Sequence, residues 1–229
     1  MENISFISTI GQAFLQGGVW MWAILAVQIV SIAIIAERIV SLYVLRRPNQ
    51  TEKVRAYEAS IKSGDLDTVL QNAKRIAKSQ SIGGVLQAGT QAAVDLGGRE
   101  EIQAQMDEVL IHENSKLSSR TGLLAMLANT GTLLGLLGTI VGLIQSFGAV
   151  SGVDPVKKAA LLTEGISMAM NTTAYGLIAA IPALIMYGVL QSRTQKLEDD
   201  LNRAALKAFN WLSFKYAYVP KNKVRKRMS

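Results

Sequence analysis

Residues 121–153 read TGLLAMLANTGTLLGLLGTIVGLIQSFGAVSGV and contain no Asp, Glu, Lys or Arg. Two further stretches, 3–36 and 165–192, are equally free of these residues. Each stretch is longer than the roughly 20 apolar residues that a helix needs to cross the hydrocarbon core of a bilayer. The sequence therefore predicts an integral membrane protein with three transmembrane helices, and the charged segments between them are expected to lie in water.

The first charge-free stretch is predicted to be a retained helix rather than a cleaved signal peptide. It is not preceded by basic residues, and it has no cleavage site of small residues after a short apolar core. Trp20 and Trp22 at one end and Tyr43 at the other are typical of interfacial anchors. We expect a transmembrane helix over 19–45, preceded by an amphipathic segment at 1–18.

The distribution of basic residues predicts the orientation in the membrane. Residues 1–18 contain none and 151–158 contain two, whereas 46–120 contain eleven and the tail from 193 onward contains ten. Basic residues are retained on the cytoplasmic side, so we expect a periplasmic N-terminus and a cytoplasmic C-terminus. Anionic lipid attracts basic residues beside the spans, and the net charge of +7 therefore requires no nucleic-acid partner.

The predicted fold is all-α and consists of seven consecutive segments. They are a periplasmic amphipathic segment at 1–18, transmembrane helix 1 at 19–45, a cytoplasmic helical domain at 46–120, transmembrane helix 2 at 121–150, a periplasmic loop at 151–158, transmembrane helix 3 at 159–191, and a cytoplasmic helix with a basic tail at 192–229. Helical spacing of apolar residues predicts one long helix over 99–150, and helix 3 is also expected to extend far into the cytoplasm. Helices that lie half in lipid and half in water need neighbours along their length, which favours an oligomer.

Two stripes of small residues follow the helical repeat in the second and third spans. The first stripe is Gly131, Gly135, Thr139, Gly142 and Ser146, with Gly138 and Gly142 forming a further GxxxG pair, and the second is Ala169, Thr173, Gly176 and Ala180. Such stripes allow membrane helices to approach closely. They are interpreted either as packing faces, whose threonines bond the carbonyls of their own helix, or as the walls of a polar cavity.

The amino-acid sequence of these spans resembles that of a known family. Residues 135–147, GLLGTIVGLIQSF, are similar to the second-span signature of the MotA/TolQ/ExbB family, and GIS at 165–167 with TAYGLIAAIPA at 173–183 resembles its third-span signature. Glu37-Arg38 is also similar to the family's motif at the inner end of the first span. The resemblance implies that Thr139 and Thr173 are pore threonines, whose hydroxyls can both donate and accept a hydrogen bond.

The resemblance further implies an assembly and a function. The chain would form a homopentameric ring around a dimer of a single-span ExbD/TolR-like protein, whose transmembrane Asp takes and releases protons. This motor or stator of the bacterial inner membrane would use the proton-motive force to power transport, envelope maintenance, gliding or secretion. A TonB/TolA-like or other envelope-spanning protein is a further candidate partner, and Na⁺ in place of protons is left open.

One position departs from the family's pattern. Met168 stands where ExbB and TolQ have a Glu in the third span, so the central membrane part of this chain has no ionisable residue. Glu164 lies one turn earlier on the same face and is interpreted either as a partial substitute at the outer mouth of an ion pathway or as a solvated residue near a helix start. Asn171 and Thr172 add local polarity, and Pro182 predicts a structural kink.

Other classes of function are not favoured. The chain has no Cys and one His, His112, so no cofactor or metal site is expected, and it lacks the phosphate-binding and nucleophile motifs of enzymes. The alternative to an ion-conducting subunit is an oligomeric scaffold that holds partner helices without conducting ions, an alternative suggested by Met168. A secondary transporter acting alone is disfavoured because three spans show no inverted repeat.

Overall fold

The structure, a computed structural model, describes residues 18–45, 49–77, 80–95 and 97–216. Within these ranges the chain consists of helices and short connections, with no β-strand, which confirms the prediction of an all-α fold. The helices are α1 (Val19–Ile39, followed by a π-helical segment at Val40–Leu45), α2 (Gln50–Arg55), α3 (Glu58–Ser63), α4 (Leu66–Ala77), α5 (Ser81–Val94), α6 (Arg99–Ser118), α7 (Thr121–Ala149) and α8 (Pro155–Tyr216). Residues 1–17 of the predicted amphipathic segment 1–18 and the basic run after Tyr216 lie outside the described residues.

The described residues form two compact units. The apolar unit combines α1 with 120–190, which contain α7 and the first part of α8, and the polar unit combines 40–119 with the remainder of α8. Helix α8 therefore contributes to both units as one continuous element.

Within the part of the chain that the structure describes, three helical stretches are long and apolar enough to cross a membrane, as predicted, and the second of them comprises α6 and α7. They are Val19–Val44, Arg99–Ala149 and Lys157–Phe214, with mean hydropathies of 2.3, 1.7 and 1.8 in their most apolar windows. Only 17% of the first window and 28% of each of the others is buried within the chain. Most apolar side chains of these helices therefore face outward, where lipid or further protein chains can cover them.

The structure has two helices where the apolar spacing predicts one helix over 99–150. Helix α6 ends before Ser119, and Arg120 has a φ of 61°, in the left-handed region. This conformation costs a residue with a side chain roughly 1–2 kcal/mol. Within the apolar unit, Arg120 Nη1 donates to Glu37 at 2.7 Å from Oε1 and 2.8 Å from Oε2, and this ion pair joins the start of α7 to the end of α1.

The polar unit is organised around the last part of α8. The apolar face of this part of α8 is buried along about four turns and consists of Leu197, Leu201, Ala204, Ala205, Ala208 and Leu212. Residues from the shorter helices complete the core, among them Val54, Ile61, Val85 and Met106. Asp200 caps α2: its carboxylate accepts hydrogen bonds from the backbone N–H of Gln50 at 2.6 Å and of Thr51 at 3.3 Å.

Helix α8 remains helical through Pro182, which lies on an exposed face. A proline removes one backbone hydrogen bond and usually bends a helix. The kink at Pro182 stays a prediction.

Candidate functional site

The two stripes of small residues face each other across the contact between α7 and α8. On α7 the buried residues of the stripe are Gly131, Gly135, Gly138, Gly142 and Ser146. A Cβ atom on Gly135 would lie 3.3 Å from the Cα atoms of both Gly176 and Thr173, and a Cβ atom on Gly176 would lie 2.8 Å from the carbonyl oxygen of Gly131. The backbones are therefore as close as glycine permits, and the stripes serve the packing of one chain on itself.

This close approach brings two threonine hydroxyls together. Thr139 Oγ1 on α7 and Thr173 Oγ1 on α8 form a hydrogen bond. Thr139 Oγ1 also lies 3.1 Å from the carbonyl oxygens of Gly135 and Ala169, and Thr173 Oγ1 lies 3.2 Å from that of Gly135. Both side chains are half-buried, so the pair keeps an accessible side.

The threonine pair has more acceptors than hydrogens. Each hydroxyl has one hydrogen and two lone pairs. Thr139 can donate to Thr173 while Thr173 donates to Gly135, or Thr173 can donate to Thr139 while Thr139 donates to Ala169. The two arrangements use the same heavy-atom positions and reverse the direction of the hydrogen-bond chain, which is the property that a proton relay requires.

Thr172 and Ser146 have a different environment from the pair. Both are buried, and each donates to the carbonyl four residues earlier, Thr172 to Met168 at 2.9 Å and Ser146 to Gly142 at 2.7 Å. Their hydroxyls are thus bonded within their own helix, as the packing interpretation expects. Thr172 also fills the space left by the missing side chain of Gly138.

Met168 and Glu164 line one groove at the start of α8. The groove has a volume of about 590 Å³ and is also lined by Thr163 and Ser167. Glu164 is exposed, and Met168 is half-buried, with its Cε 2.7 Å from the position of a Cβ on Gly18. Met168 therefore packs over the start of α1.

One of the predicted polar residues of α8, Glu164, lies apart from the threonine pair. Glu164 precedes Thr173 by nine residues, or about 13 Å along the helix axis, which excludes a direct contact. Asn171 is half-buried on the same helix. The structure therefore unites Thr139 with Thr173 and leaves Glu164 separate from them.

Three polar residues, Gln28 and Ser31 on α1 and Thr121 at the start of α7, were not predicted from the sequence. Ser31 and Arg38 are buried at 4% and 3% exposure, and Ser31 donates to the carbonyl of Val27 at 2.9 Å. Among the described residues, the buried Gln28 Oε1 and Thr121 Oγ1 have no hydrogen-bond partner in the chain. Buried polar atoms of this kind bind ordered water or a group of another molecule. The spacing of Gln28, Ser31 and Arg38 on one helical face was the signal in the sequence.

The sequence matches the model of the MotA/TolQ/ExbB proton channel family over residues 77–203, a region that contains both stripes. Over 213 residues it is 28% identical to the putative biopolymer transport protein ExbB homolog of Methanothermobacter thermautotrophicus, covering 91% of this chain and 72% of the relative. It is 35% identical to the Tol-Pal system protein TolQ of Haemophilus influenzae over 49% of this chain and 43% of the relative. It is 33% identical to the biopolymer transport protein ExbB of Pseudomonas putida over 41% of this chain and 28% of the relative. The chain thus matches less than half the length of the last two relatives.

Proposed function

Because the chain belongs to the MotA/TolQ/ExbB proton channel family, we propose that it is the ring subunit of a motor that the proton-motive force drives. Family membership places the chain among channel and transport subunits rather than enzymes. The apolar helices and the relatives identify it as a multi-pass membrane protein of the bacterial inner membrane. In the proposed complex, the subunit conducts protons together with a single-span partner and powers an envelope process.

The observation that most supports conduction is the Thr139–Thr173 pair. A hydroxyl pair that can reverse its hydrogen bonds can take a proton at one oxygen from a donor of another chain and release its own proton from the other oxygen to an acceptor of that chain. This needs no movement of the helices, and the half-buried position of the pair leaves room for such groups. The pair lies in charge-free segments of α7 and α8, where a proton needs such a polar contact because a bare charge in the bilayer is costly.

The titrating carboxylate is proposed to come from the partner. Neither 121–153 nor 165–192 contains an acidic residue, and Met168 is an apolar side chain packed over Gly18. We therefore propose a dimer of an ExbD/TolR-like protein with a transmembrane Asp, and a TonB- or TolA-like protein as the component that receives the work. Glu164 is proposed to attract cations at the periplasmic mouth, 13 Å or so from the pair.

The outward apolar surface supports a ring of several copies, proposed to be a pentamer. On α7, large side chains with 48–66% exposure form a continuous stripe of Leu133, Leu136, Ile140, Ile144 and Phe147. The glycines of α7 already pack against α8. We therefore propose that these larger residues make the contacts between copies and with the partner. The proposed orientation has a periplasmic N-terminus and a cytoplasmic C-terminus, following the excess of basic residues in 46–120 and after 193.

A non-conducting scaffold is the second candidate, and one observation favours it. Thr139 lies 3.1 Å from the carbonyl of its own helix at Gly135, as a purely structural threonine would. Proton uptake into liposomes separates the two functions. The ring with its co-purified partner should show flux that disappears when the partner's transmembrane Asp is changed to Asn; flux no greater than that of protein-free liposomes would favour the scaffold. Replacing Na⁺ with choline in the same assay identifies the ion.

A further inference from the structure

A groove of about 660 Å³ lies between α5 and α6 in the polar unit. Its walls carry the amide side chains of Gln87, Gln91 and Gln105, together with the carboxylates of Asp95 and Glu101. None of the residues that the structure describes along the groove is basic. The groove is therefore polar and acidic, which suits an extended, basic segment of polypeptide.

The two carboxylates are held in place by amides one turn away. Gln91 Nε2 donates to both carboxylate oxygens of Asp95, at 3.1 and 3.0 Å, and Gln105 Nε2 donates to Glu101 Oε1 at 3.0 Å. A carboxylate accepts about four hydrogen bonds, so each keeps free positions for an ammonium or guanidinium group. Both side chains belong to exposed residues, which leaves them accessible.

The chain itself contains a segment of the matching charge. Residues 217–229 follow the end of α8 at Tyr216 and include the basic run Lys221, Lys223, Arg225, Lys226 and Arg227, which lies outside the described residues. The last turns of α8 pack beside α5, because Leu212 Cδ1 lies 3.1 Å from the position of a Cβ on Gly89. The nine residues from 216 to 225 span about 30 Å when extended, whereas a helix with its side chains is roughly 10–12 Å across. The run can therefore reach the groove of which α5 forms one wall.

We propose that the basic run 221–227 of the same chain docks in the groove between α5 and α6. Its cationic side chains bond Asp95 and Glu101 with charge-assisted hydrogen bonds, and its backbone bonds the amides of Gln87, Gln91 and Gln105. The docked segment joins the end of α8 to the α5–α6 hairpin. A surface of anionic lipid competes for the same positive charges.

Cysteine cross-linking of the full chain tests the proposal, since the chain has no native Cys. Lys223→Cys is combined with Gln87→Cys in the groove or, as the matched control, with Gln71→Cys on the exposed face of α4. A disulfide requires Cα atoms within about 7 Å of each other. Under mild oxidation in detergent, the groove pair should form a disulfide within one chain at a rate on the order of fivefold above that of the control pair. This factor is the expected effect of two partly exposed ion pairs that hold the tail in the groove.

Charge neutralisation provides the second measurement. Asp95→Asn with Glu101→Gln should remove that rate difference, whereas Asp67→Asn with Glu100→Gln, outside the groove, should preserve it. If the first double variant does not fold, the cross-linking rate of the groove pair is measured against salt concentration and should fall as salt rises; a rate independent of salt overturns the proposal.

Three results would assign the tail elsewhere. Equal cross-linking in the groove and control pairs, or disulfides that join two chains on a denaturing gel, would refute docking within one chain. Loss of the cross-link in vesicles with anionic phospholipid, together with its retention in zwitterionic vesicles, would identify the membrane surface as the occupant.

Discussion

Replacing Gly176 with Ala should loosen the contact between α7 and α8. The new methyl group would lie 2.8 Å from the carbonyl oxygen of Gly131 and 3.0 Å from the Cα of Gly135, both backbone atoms that cannot rotate away. The two helices must separate by several tenths of an ångström to reach an ordinary contact distance. Overpacking of this kind costs about 1–3 kcal/mol, and the better helix propensity of Ala returns about 1 kcal/mol. We expect a net loss of up to about 2 kcal/mol of stability.

The control is Gly188→Ala in the same helix, where a Cβ meets nothing within 4 Å. This variant should be neutral or more stable by up to about 1 kcal/mol. Stability is measured by titrating the purified protein in mixed micelles with a denaturing detergent and following tryptophan fluorescence. If Gly176→Ala and Gly188→Ala unfold at the same detergent fraction, the backbones are not in contact at Gly176 and the reasoning is wrong.

Three further changes have defined outcomes. Asp200→Ala removes the acceptor for the backbone N–H groups of Gln50 and Thr51, so the start of α2 should lose about 1 kcal/mol of local stability, visible as faster amide exchange there and unchanged exchange in α5. Glu37→Gln breaks the exposed ion pair with Arg120 and should cost at most about 1 kcal/mol in detergent titration; a larger loss would show that the pair is not solvent-screened. Glu164→Gln should reduce proton uptake by no more than about twofold, because the carboxylate lies about 13 Å along α8 from Thr173; loss of all uptake would assign it an essential role.

The three spans and the all-α fold were predictable because a charge-free stretch long enough to cross a bilayer has few alternatives to forming a transmembrane helix. The proximity of Thr139 and Thr173 followed from small residues repeated on two helices, since such faces attract each other. The hydrogen-bond pattern of the pair was not predictable. Whether Thr139 bonds its own helix, Ala169 or Thr173 depends on how closely and in which register two backbones pack.

The break between α6 and α7 was missed for a different reason. Neither Ser119 nor Arg120 is a helix-breaking residue, and the helical spacing of apolar residues continues on both sides of them. The left-handed conformation of Arg120 occurs together with a contact to Glu37, which is 83 residues distant in sequence. The helix propensities of individual residues give no information about a contact between residues so distant in sequence.

Proton uptake after removal of the two hydroxyls tests the central claim most directly. Thr139→Val and Thr173→Val keep the shape of each side chain and remove the donor, and Thr130→Val is the matched control because Thr130 donates to Met126 on its own helix at 2.8 Å. In liposomes that contain the ring and its partner, each pair variant should lower the uptake rate on the order of 10²-fold, the usual effect of losing a positioned proton-transfer group, whereas Thr130→Val should retain it. Assembled pair variants that conduct protons as fast as Thr130→Val would contradict the claim that this hydroxyl pair is the relay.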